Sequence, residues 1–209
     1  AVMINVLIVD DSRIARKIME YELKAMPEYK ILTFIEDAEN AKPICMSTKV
    51  DLILMDVCTA SDSSGLKAAA DIKKSCSDIK IIITTSMPEY TFIMKAKMAG
   101  CESFWYKDYG NIGLREVIER TMKGERVYPD KTPDVDIHGV PISQFTPAQL
   151  RVLRELAMGL SQEEVAKKLC LSRSVIKGHI SHMCEKTNTS KTLQLVTEAI
   201  EKRVILPKY

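Results

Sequence analysis

The stretch VLIVDDSR, residues 6–13, places two adjacent carboxylates directly after four apolar residues. A short continuous apolar run of this kind is typical of a strand that is buried on both faces. Asp10 and Asp11 at its end repel each other, and burial raises the cost of each charge. The pattern therefore predicts a buried strand that ends in an acidic site, with a metal ion as the first candidate for the missing positive charge.

Apolar runs alternate with amphipathic helical segments from this strand to residue 124. We predict five strands, at MINVLIV, YKILTFI, VDLILMD, IKIIITTS and SFWYK, each followed by a helix. Ser12 is expected to cap the first helix, and the fourth is expected to have Pro88 in its first turn and Gly100 at its end. The alternation predicts an α/β fold, a doubly wound five-stranded parallel sheet in which ligands bind beyond the carboxyl ends of the strands.

The pattern changes twice after this region, which divides the chain into two predicted domains. Residues 1–124 form the first, and residues 125–143 contain three of the eight prolines with almost no periodicity, so that we predict a linker. Residues 144–209 contain four segments with helical spacing and no strand between them. The second domain is therefore predicted to be small and all-α.

Charge and composition limit the function classes. Residues 1–143 hold 19 Lys and Arg against 22 Asp and Glu, whereas residues 144–209 hold 11 against 6, so the C-terminal domain is basic and compatible with nucleic-acid binding. The six cysteines form no CxxC pair, so reduced thiols are more plausible than a zinc site or a disulfide framework. No apolar run approaches the roughly 18 residues that cross a bilayer, and no secretory signal is present, so we expect a cytoplasmic protein that makes no membrane contact.

Polar side chains follow several predicted strands at the same edge of the sheet. Asp56 ends the third strand, the fourth ends in the hydroxyls of ITTS, and the fifth ends in FWYK with Lys107. Converging carboxylates are unstable without a cation, and Mg²⁺ prefers oxygen ligands while it retains several waters. Such a site suits a phosphoryl group, because metal and lysine neutralise its oxygens while a carboxylate attacks the phosphorus.

With these residues in place, the stretch 3–124 resembles the receiver domain of two-component response regulators, which has a CheY-like fold. The resemblance implies that Asp10 and Asp11 are the metal-binding acidic pair. It implies that Asp56 is the phospho-acceptor and a third Mg²⁺ ligand, and that the phosphoryl donor is a sensor histidine kinase.

The same resemblance assigns the remaining residues of the site. It implies that Thr85 is the switch hydroxyl, that Lys107 pairs with the phosphoryl group, and that Phe104 is the aromatic switch residue three positions before the lysine. The backbone carbonyl of Cys58, two residues after the acceptor, is implied as a further Mg²⁺ ligand.

The loop after the acceptor, DVCTASDSSG, departs from the family pattern. It lacks the usual Met-Pro and is longer, which leaves open an atypical receiver that binds DNA independently of phosphorylation, and Cys58 leaves a redox role open. An aspartyl-phosphate hydrolase of the haloacid-dehalogenase type is a further alternative. That chemistry needs a second Asp two residues after the nucleophile, where Ser12 or Arg13 stands, so we predict no enzyme.

The basic domain contains the outline of a helix-turn-helix in SQEEVAKKLCLSRSVIKGHISHMCEKT, residues 161–187. Ser161 and Ser172 are predicted N-caps, the first within a capping box with Glu164. On the second helix the pattern predicts that four residues face the core: Val175, Ile176, Ile180 and Met183. Five others are left to face outward, where they can donate to phosphates or base edges: Arg173, Lys177, Gly178, Ser181 and His182.

Residues 145–206 resemble the LuxR-type helix-turn-helix through TP, GLS, the LS of the turn and IK-x-HI. The whole chain is similar to the NarL/FixJ class of response regulators. The resemblance implies that Lys177, Gly178 and Ser181 face DNA bases, and that Lys177 is the main major-groove reader. We therefore expect a promoter-binding regulator that acts as a homodimer when active, with the last helix around residues 193–200 as one candidate interface.

Overall fold

The computed structural model describes residues 2–110 and 112–209, and these divide into two compact units. The first unit comprises Ala1–Ser86 and Thr91–Lys131, and the second comprises Met87–Tyr90 and Thr132–Tyr209. The division differs from the predicted boundaries of 1–124, 125–143 and 144–209. Those boundaries stay predictions about the functional domains.

The first unit contains the predicted five-stranded parallel sheet. Its strands follow the order β2-β1-β3-β4-β5, with β1 Ile4–Val9, β2 Tyr29–Ile35, β3 Leu52–Asp56, β4 Lys80–Thr85 and β5 Ser103–Tyr106. Its helices are α1 Arg13–Lys24, α2 Ala41–Ser47, α3 Gly65–Ser75, α4 Phe92–Met98 and α5 Leu114–Met122. The fold prediction for this unit is confirmed.

The first strand is buried as its apolar run predicts. Residues 6–9 of β1 are fully buried, and β1 lies between β2 and β3 in the sheet. Ser12 caps α1, because its hydroxyl accepts a hydrogen bond from the amide of Ala15 at 3.3 Å. The buried strand and the capped helix fix the chain between them, which is the segment that carries Asp10 and Asp11.

Helix α4 begins later than the spacing predicted, so the placement of Pro88 in its first turn is wrong. The helix starts at Phe92, and the preceding segment Met87–Tyr90 belongs to the second unit. There the Tyr90 hydroxyl donates to the Leu150 carbonyl at 3.2 Å. The physical reason is tertiary, since these contacts hold the segment off a helical path. Gly100 follows the helix in the left-handed region as expected, with φ of +82°.

The second unit contains the four predicted helices and a short hairpin. The helices are α6 Pro147–Ala157, α7 Gln162–Leu169, α8 Arg173–Thr187 and α9 Thr192–Glu201. The hairpin, β6 Asp136–Ile137 with β7 Val140–Pro141, lies within the segment that composition marks as a linker. Its Ile137 is fully buried in the core that the four helices share.

Local signals at the helix ends are confirmed in this unit. The hydroxyls of Ser161 and Ser172 cap α7 and α8, and Glu164 completes the predicted capping box. Cys170 ends α7 in the left-handed conformation, with φ of 54°. Among the described residues, 2–110 and 112–209, no helix has both the length and the apolar character needed to cross a membrane.

Candidate functional site

The carboxyl ends of three strands bring two aspartates and a lysine together. Asp10 follows β1, Asp56 ends β3, and Lys107 follows β5. The Lys107 Nζ donates to Asp10 Oδ2 at 2.6 Å and to Asp56 Oδ1 at 3.0 Å. Both aspartates are buried, so the ammonium is the counter-charge that makes their burial tolerable.

Asp11 completes a carboxylate cluster that suits Mg²⁺. One carboxylate oxygen each from Asp10, Asp11 and Asp56 lies within 4.8 Å of the others. Mg²⁺ binds oxygens of this chemistry at about 2.1 Å and keeps several waters. Two of the carboxylates are buried and Asp11 is exposed, so the cluster opens to solvent on one side. The residues present therefore fit the predicted metal.

Burial dominates the electrostatics of the cluster. Burial and the neighbouring charge of Asp10 raise the pKa of Asp56 to about 7, although the ammonium of Lys107 opposes this rise. Burial acts to lower the pKa of Lys107, but the charges of Asp56 and Asp10 outweigh it and raise that pKa above its ordinary value. The Lys107 ammonium therefore does not fully offset the cost of burying the Asp56 charge, and a bound cation would offset it further.

The chain around Asp10 holds its carboxylate in place. The Ser12 amide donates to Asp10 Oδ1 at 2.9 Å, and the Arg16 guanidinium donates to the Asp10 carbonyl at 2.7 Å. Arg16 also forms an ion pair with Glu36 at 2.8 Å. Arg16 is not among the site residues that the sequence predicts. The available signal was its position as the fourth residue of α1, one turn beyond the Ser12 cap that follows the acidic pair.

Thr85 and Phe104, the predicted switch residues, are both buried. Thr85 ends β4, and its carbonyl accepts a hydrogen bond from the Lys107 amide at 2.9 Å. Phe104 is 1% exposed, and its ring centroid lies 4.9 Å from that of Tyr106. Tyr106 is in turn the strand partner of Thr85. Their roles as a switch stay predictions.

The loop after Asp56 is held by a largely buried hydrogen-bond network that the sequence does not predict. The hydroxyls of Thr59 and Ser63 lie 2.6 Å apart, and Ser63 donates to Asp37 Oδ1 at 2.6 Å. The Ala38 amide donates to both hydroxyls at 3.1 Å. The half-buried Cys58 pairs with Ser64 in an isolated antiparallel bridge, and its carbonyl as a Mg²⁺ ligand stays a prediction.

The second unit presents the predicted polar face on α8. Arg173, Lys177 and Ser181 are exposed at intervals of four residues, which places them on one face of the helix. His182 is exposed as well, whereas Gly178 is only partly exposed. These positions agree with the prediction of an outward face, and their contacts with DNA stay predictions.

One residue of α8 is placed differently from the prediction. Val175 was expected in the core, but its side chain is 42% exposed. The buried positions of α8 are Ile176, Ile180, Met183 and Thr187. Their spacing of four, three and four residues defines a buried face that is narrower than the predicted one, which included Val175. Val175 lies beside that stripe.

Two family descriptions match the two parts of the chain. Residues 6–119 match the response regulator receiver domain, and residues 143–199 match the bacterial regulatory proteins of the luxR family. The chain belongs to the DNA-binding two-component response regulators of the LuxR family. The predicted resemblance is confirmed, and the roles that it implies for the acidic cluster of this response regulator stay predictions.

Full-length relatives resemble this response regulator over nearly the whole chain. It is 28% identical over 213 residues to the transcriptional regulatory protein YxjL of Bacillus subtilis, covering 97% of each chain. It is 25% identical over 210 residues to the response regulator protein VraR of Staphylococcus aureus, covering 97% of this chain and 99% of the relative.

Solved structures of RcsB share the fold. RcsB of Salmonella enterica serovar Typhimurium, bound to the promoter rprA in the presence of the phosphomimetic BeF3⁻, aligns with a TM-score of 0.62 and 19% identity over 93% of this chain and 97% of that one. A structure of two RcsB dimers bound to two parallel DNAs aligns with a TM-score of 0.65 and 19% identity, covering 95% and 98%.

Proposed function

We propose that this response regulator is switched by phosphorylation of Asp56 by a sensor histidine kinase, and that the switch controls promoter binding in the cytoplasm. The observation that carries the proposal is the position of Lys107, whose ammonium contacts both Asp10 and Asp56 at the strand ends. An ammonium fixed beside the acceptor is placed to neutralise the oxygens of an arriving phosphoryl group.

The proposed reaction moves one phosphoryl group between two side chains. An oxygen of the Asp56 carboxylate attacks the phosphorus of a phosphohistidine, the P–N bond breaks, and the histidine of the kinase keeps the electron pair and takes up a proton. Lys107 shifts its contact from the carboxylate to the phosphoryl oxygens. Mg²⁺ bound by Asp10, Asp11 and Asp56, with the Cys58 carbonyl, would supply positive charge against the added anion.

The hydrogen-bonded loop after Asp56 supports phosphorylation rather than the atypical alternative. Thr59 is hydrogen-bonded to Ser63 in the interior, and Ser63 donates to the partly buried Asp37, so these bonds anchor the loop despite its extra length. A regulator that binds DNA independently of phosphorylation stays the competing hypothesis. In either case we propose that the protein turns over no external substrate.

The proposed DNA contact is the exposed face of α8. Lys177 is exposed in the middle of the row formed with Arg173 and Ser181, and its ammonium can reach base edges or phosphates when the helix lies in the major groove. Gly178 leaves room for close approach, and His182 extends the polar face. We infer that two chains bind together, because one helix of this size covers little DNA and the solved RcsB complex has dimers on DNA.

DNA binding with and without phosphorylation tests the proposal. Duplexes that the phosphorylated protein retains from a random-sequence pool serve as ligands, and affinity is measured at fixed salt for the parent and Asp56→Asn. We expect acetyl phosphate with Mg²⁺ to change the affinity of the parent alone. Equal affinities in all samples would favour the phosphorylation-independent regulator.

A pair of lysine variants tests the DNA-binding face separately. Lys177→Ala is expected to weaken binding of the selected duplex by about tenfold or more, as loss of a base or phosphate contact does. Lys202→Ala removes an exposed lysine beyond α9 and should change affinity little. If the two variants lose the same affinity for DNA, the lysines act only through long-range charge attraction, and the assignment of Lys177 as a base or phosphate contact is wrong.

A further inference from the structure

Thr84, next to the predicted switch residue, carries a buried hydroxyl that the resting structure does not use. Its side chain is fully buried on β4, and its Oγ1 has no hydrogen-bond partner within the part of the chain that the structure describes. A buried hydroxyl without a partner destabilises a protein, and valine has nearly the same shape without that cost. The hydroxyl therefore needs an explanation from a second state of the protein.

The strand register places Thr84 beside the acceptor. Thr84 is the partner of Asp56 on β3 and of Trp105 on β5. Partners on adjacent parallel strands project to the same face of the sheet, and residues two apart on one strand share that face. Ile82 and Leu54, two residues before Thr84 and Asp56, pack in one core cluster, which confirms that the two side chains share a face. Thr85 projects to the opposite face.

The resting site gives the Thr84 hydroxyl no acceptor. The Asp56 carboxylate is directed to the rim of the sheet, where Oδ1 accepts from the Lys107 ammonium at 3.0 Å. Phosphorylation changes this arrangement, because one carboxylate oxygen becomes bonded to phosphorus and the other becomes a neutral carbonyl. The ammonium is then drawn to the more highly charged phosphoryl oxygens. The carbonyl oxygen, which would also contact the proposed Mg²⁺, then has a second lone pair available for a donor.

We propose that Thr84 is a positioning residue for the phosphorylated state, in which its hydroxyl donates a hydrogen bond to the carbonyl oxygen of phosphorylated Asp56. This inference rests on the proposed function of Asp56. The unpaired hydroxyl destabilises the resting protein, and the new hydrogen bond stabilises the phosphorylated one. Both effects shift the equilibrium towards the phosphorylated state. A purely structural threonine would be satisfied in the resting state.

Beryllofluoride with Mg²⁺, a phosphoryl analogue, provides an equilibrium test on the full chain. Trp105 is the only tryptophan of the chain and the strand partner of Thr84, so its fluorescence reports binding at this position. We expect Thr84→Val to weaken beryllofluoride binding by about three- to tenfold, the effect of one neutral hydrogen bond. Thr84→Ser, which keeps the hydroxyl, should stay within about twofold of the parent.

Unfolding of the free protein gives a second readout, and Thr121 provides a matched control. Thr84→Val should raise the urea midpoint of the free protein, because it removes an unsatisfied hydroxyl. The buried Thr121 hydroxyl is satisfied, since it lies 2.6 Å from the Ser103 hydroxyl and donates to the Val117 carbonyl at 2.6 Å. Thr121→Val should therefore lower the midpoint and leave beryllofluoride affinity unchanged.

The outcomes separate this inference from the proposed function. Equal beryllofluoride affinity for the parent and Thr84→Val would overturn the role of Thr84 and leave phosphorylation of Asp56 intact. A lower urea midpoint for free Thr84→Val would also overturn it, because the hydroxyl would then be satisfied at rest. A parent protein that neither binds beryllofluoride nor accepts a phosphoryl group from acetyl phosphate would overturn both.

Discussion

The α-carbon of Gly65 lies so close to the backbone of Asp56 that a Cβ at residue 65 would be 1.8 Å from the Asp56 carbonyl oxygen. Gly65 begins α3, and its amide donates to the Val57 carbonyl at 2.8 Å. The first turn of α3 is therefore packed directly on the acceptor strand end. Its close approach, rather than an unusual φ, requires glycine here.

Replacing Gly65 should lower the stability of the protein and displace the end of β3, which carries Asp56. The contact atom is backbone and cannot rotate away, so we expect Gly65→Ala to lower the free energy of unfolding by about 1–3 kcal/mol or more, as overpacking does. Urea unfolding measures this. Gly178→Ala, in α8 with open space around the new Cβ, should instead raise stability by up to about 1 kcal/mol. A well-tolerated Gly65→Ala would show that the strand end can move.

The raised pKa of Asp56 predicts a pH-dependent stability. Burial and the charge of Asp10 raise the pKa of Asp56 to about 7 in the folded protein, above the ordinary value of 3.8. The folded state then holds a proton that the unfolded state has lost, so stability falls as the pH rises from about 4 to about 7. Asp56→Asn has no titrating carboxyl at this position, so its stability should not fall with pH for this reason.

Urea unfolding in EDTA across this pH range tests the prediction. We expect Asp56→Asn to exceed the parent by roughly 1 kcal/mol or more at pH 8, since each pH unit between folded and unfolded pKa values corresponds to about 1.4 kcal/mol. The excess should shrink towards pH 4. Lys107 keeps its contact with Asp10 in the variant, so no new unpaired charge is introduced. Parallel curves at all pH values would contradict the prediction.

Removal of one exposed carboxylate should reveal the metal site. Asp11 is exposed and belongs to the cluster with Asp10 and Asp56, so Asp11→Asn should weaken Mg²⁺ binding by about tenfold without unfolding the protein. Titration calorimetry measures the affinity. Asp78→Asn, at an exposed position on the α3–β4 connection, is the control and should bind Mg²⁺ like the parent. Equal affinity for all three proteins would exclude Asp11 as a ligand.

The network behind the acceptor loop should contribute to stability. The buried Ser63 hydroxyl donates to Asp37, accepts from the Ala38 amide and is hydrogen-bonded to the Thr59 hydroxyl, so Ser63→Ala removes all three bonds. We expect a loss of about 1–3 kcal/mol in the free energy of unfolding. The same variant should raise the pKa of Asp37, because the Ser63 hydrogen bond is the largest cause of its lowered value. Ser77→Ala, at an exposed site, should change neither quantity; a similar loss there would argue against the network.

In the turn of the helix-turn-helix, Cys170 adopts a left-handed backbone conformation whose strain a substitution can relieve. Cys170 ends α7 with φ of 54°, a conformation that glycine adopts without steric cost. Cys170→Gly should raise the free energy of unfolding by about 0.5–1 kcal/mol, measured by urea unfolding. Cys170→Val should lower it, because a β-branched side chain fits this region worst. The opposite order of stabilities would mean that the Cys170 side chain packs favourably.

The parts of the molecule that depend on local signals were predictable from the sequence. The buried strand before Asp10 and the caps at Ser12 and Ser161 follow from apolar runs and hydroxyls at helix starts. The meeting of Asp10, Asp56 and Lys107 follows from the parallel alternation alone, because parallel strands end at one edge of a sheet.

The parts that depend on tertiary contact were not predictable in the same way. Pro88 looks like a helix start, yet Met87–Tyr90 belongs to the second unit and α4 begins at Phe92. The bond between Ser63 and Asp37 joins residues 26 positions apart, which no local pattern encodes. Val175 has an apolar side chain beside the buried stripe of α8, and periodicity alone does not fix the width of that stripe.

The most direct test of the central claim is the intact mass of the full chain after incubation with acetyl phosphate and Mg²⁺, measured beside Asp56→Asn. We predict one phosphoryl adduct on the parent and none on the variant, because Asp56 is the carboxylate held against the Lys107 ammonium. No adduct on the parent, or an adduct that persists on Asp56→Asn, would contradict the account.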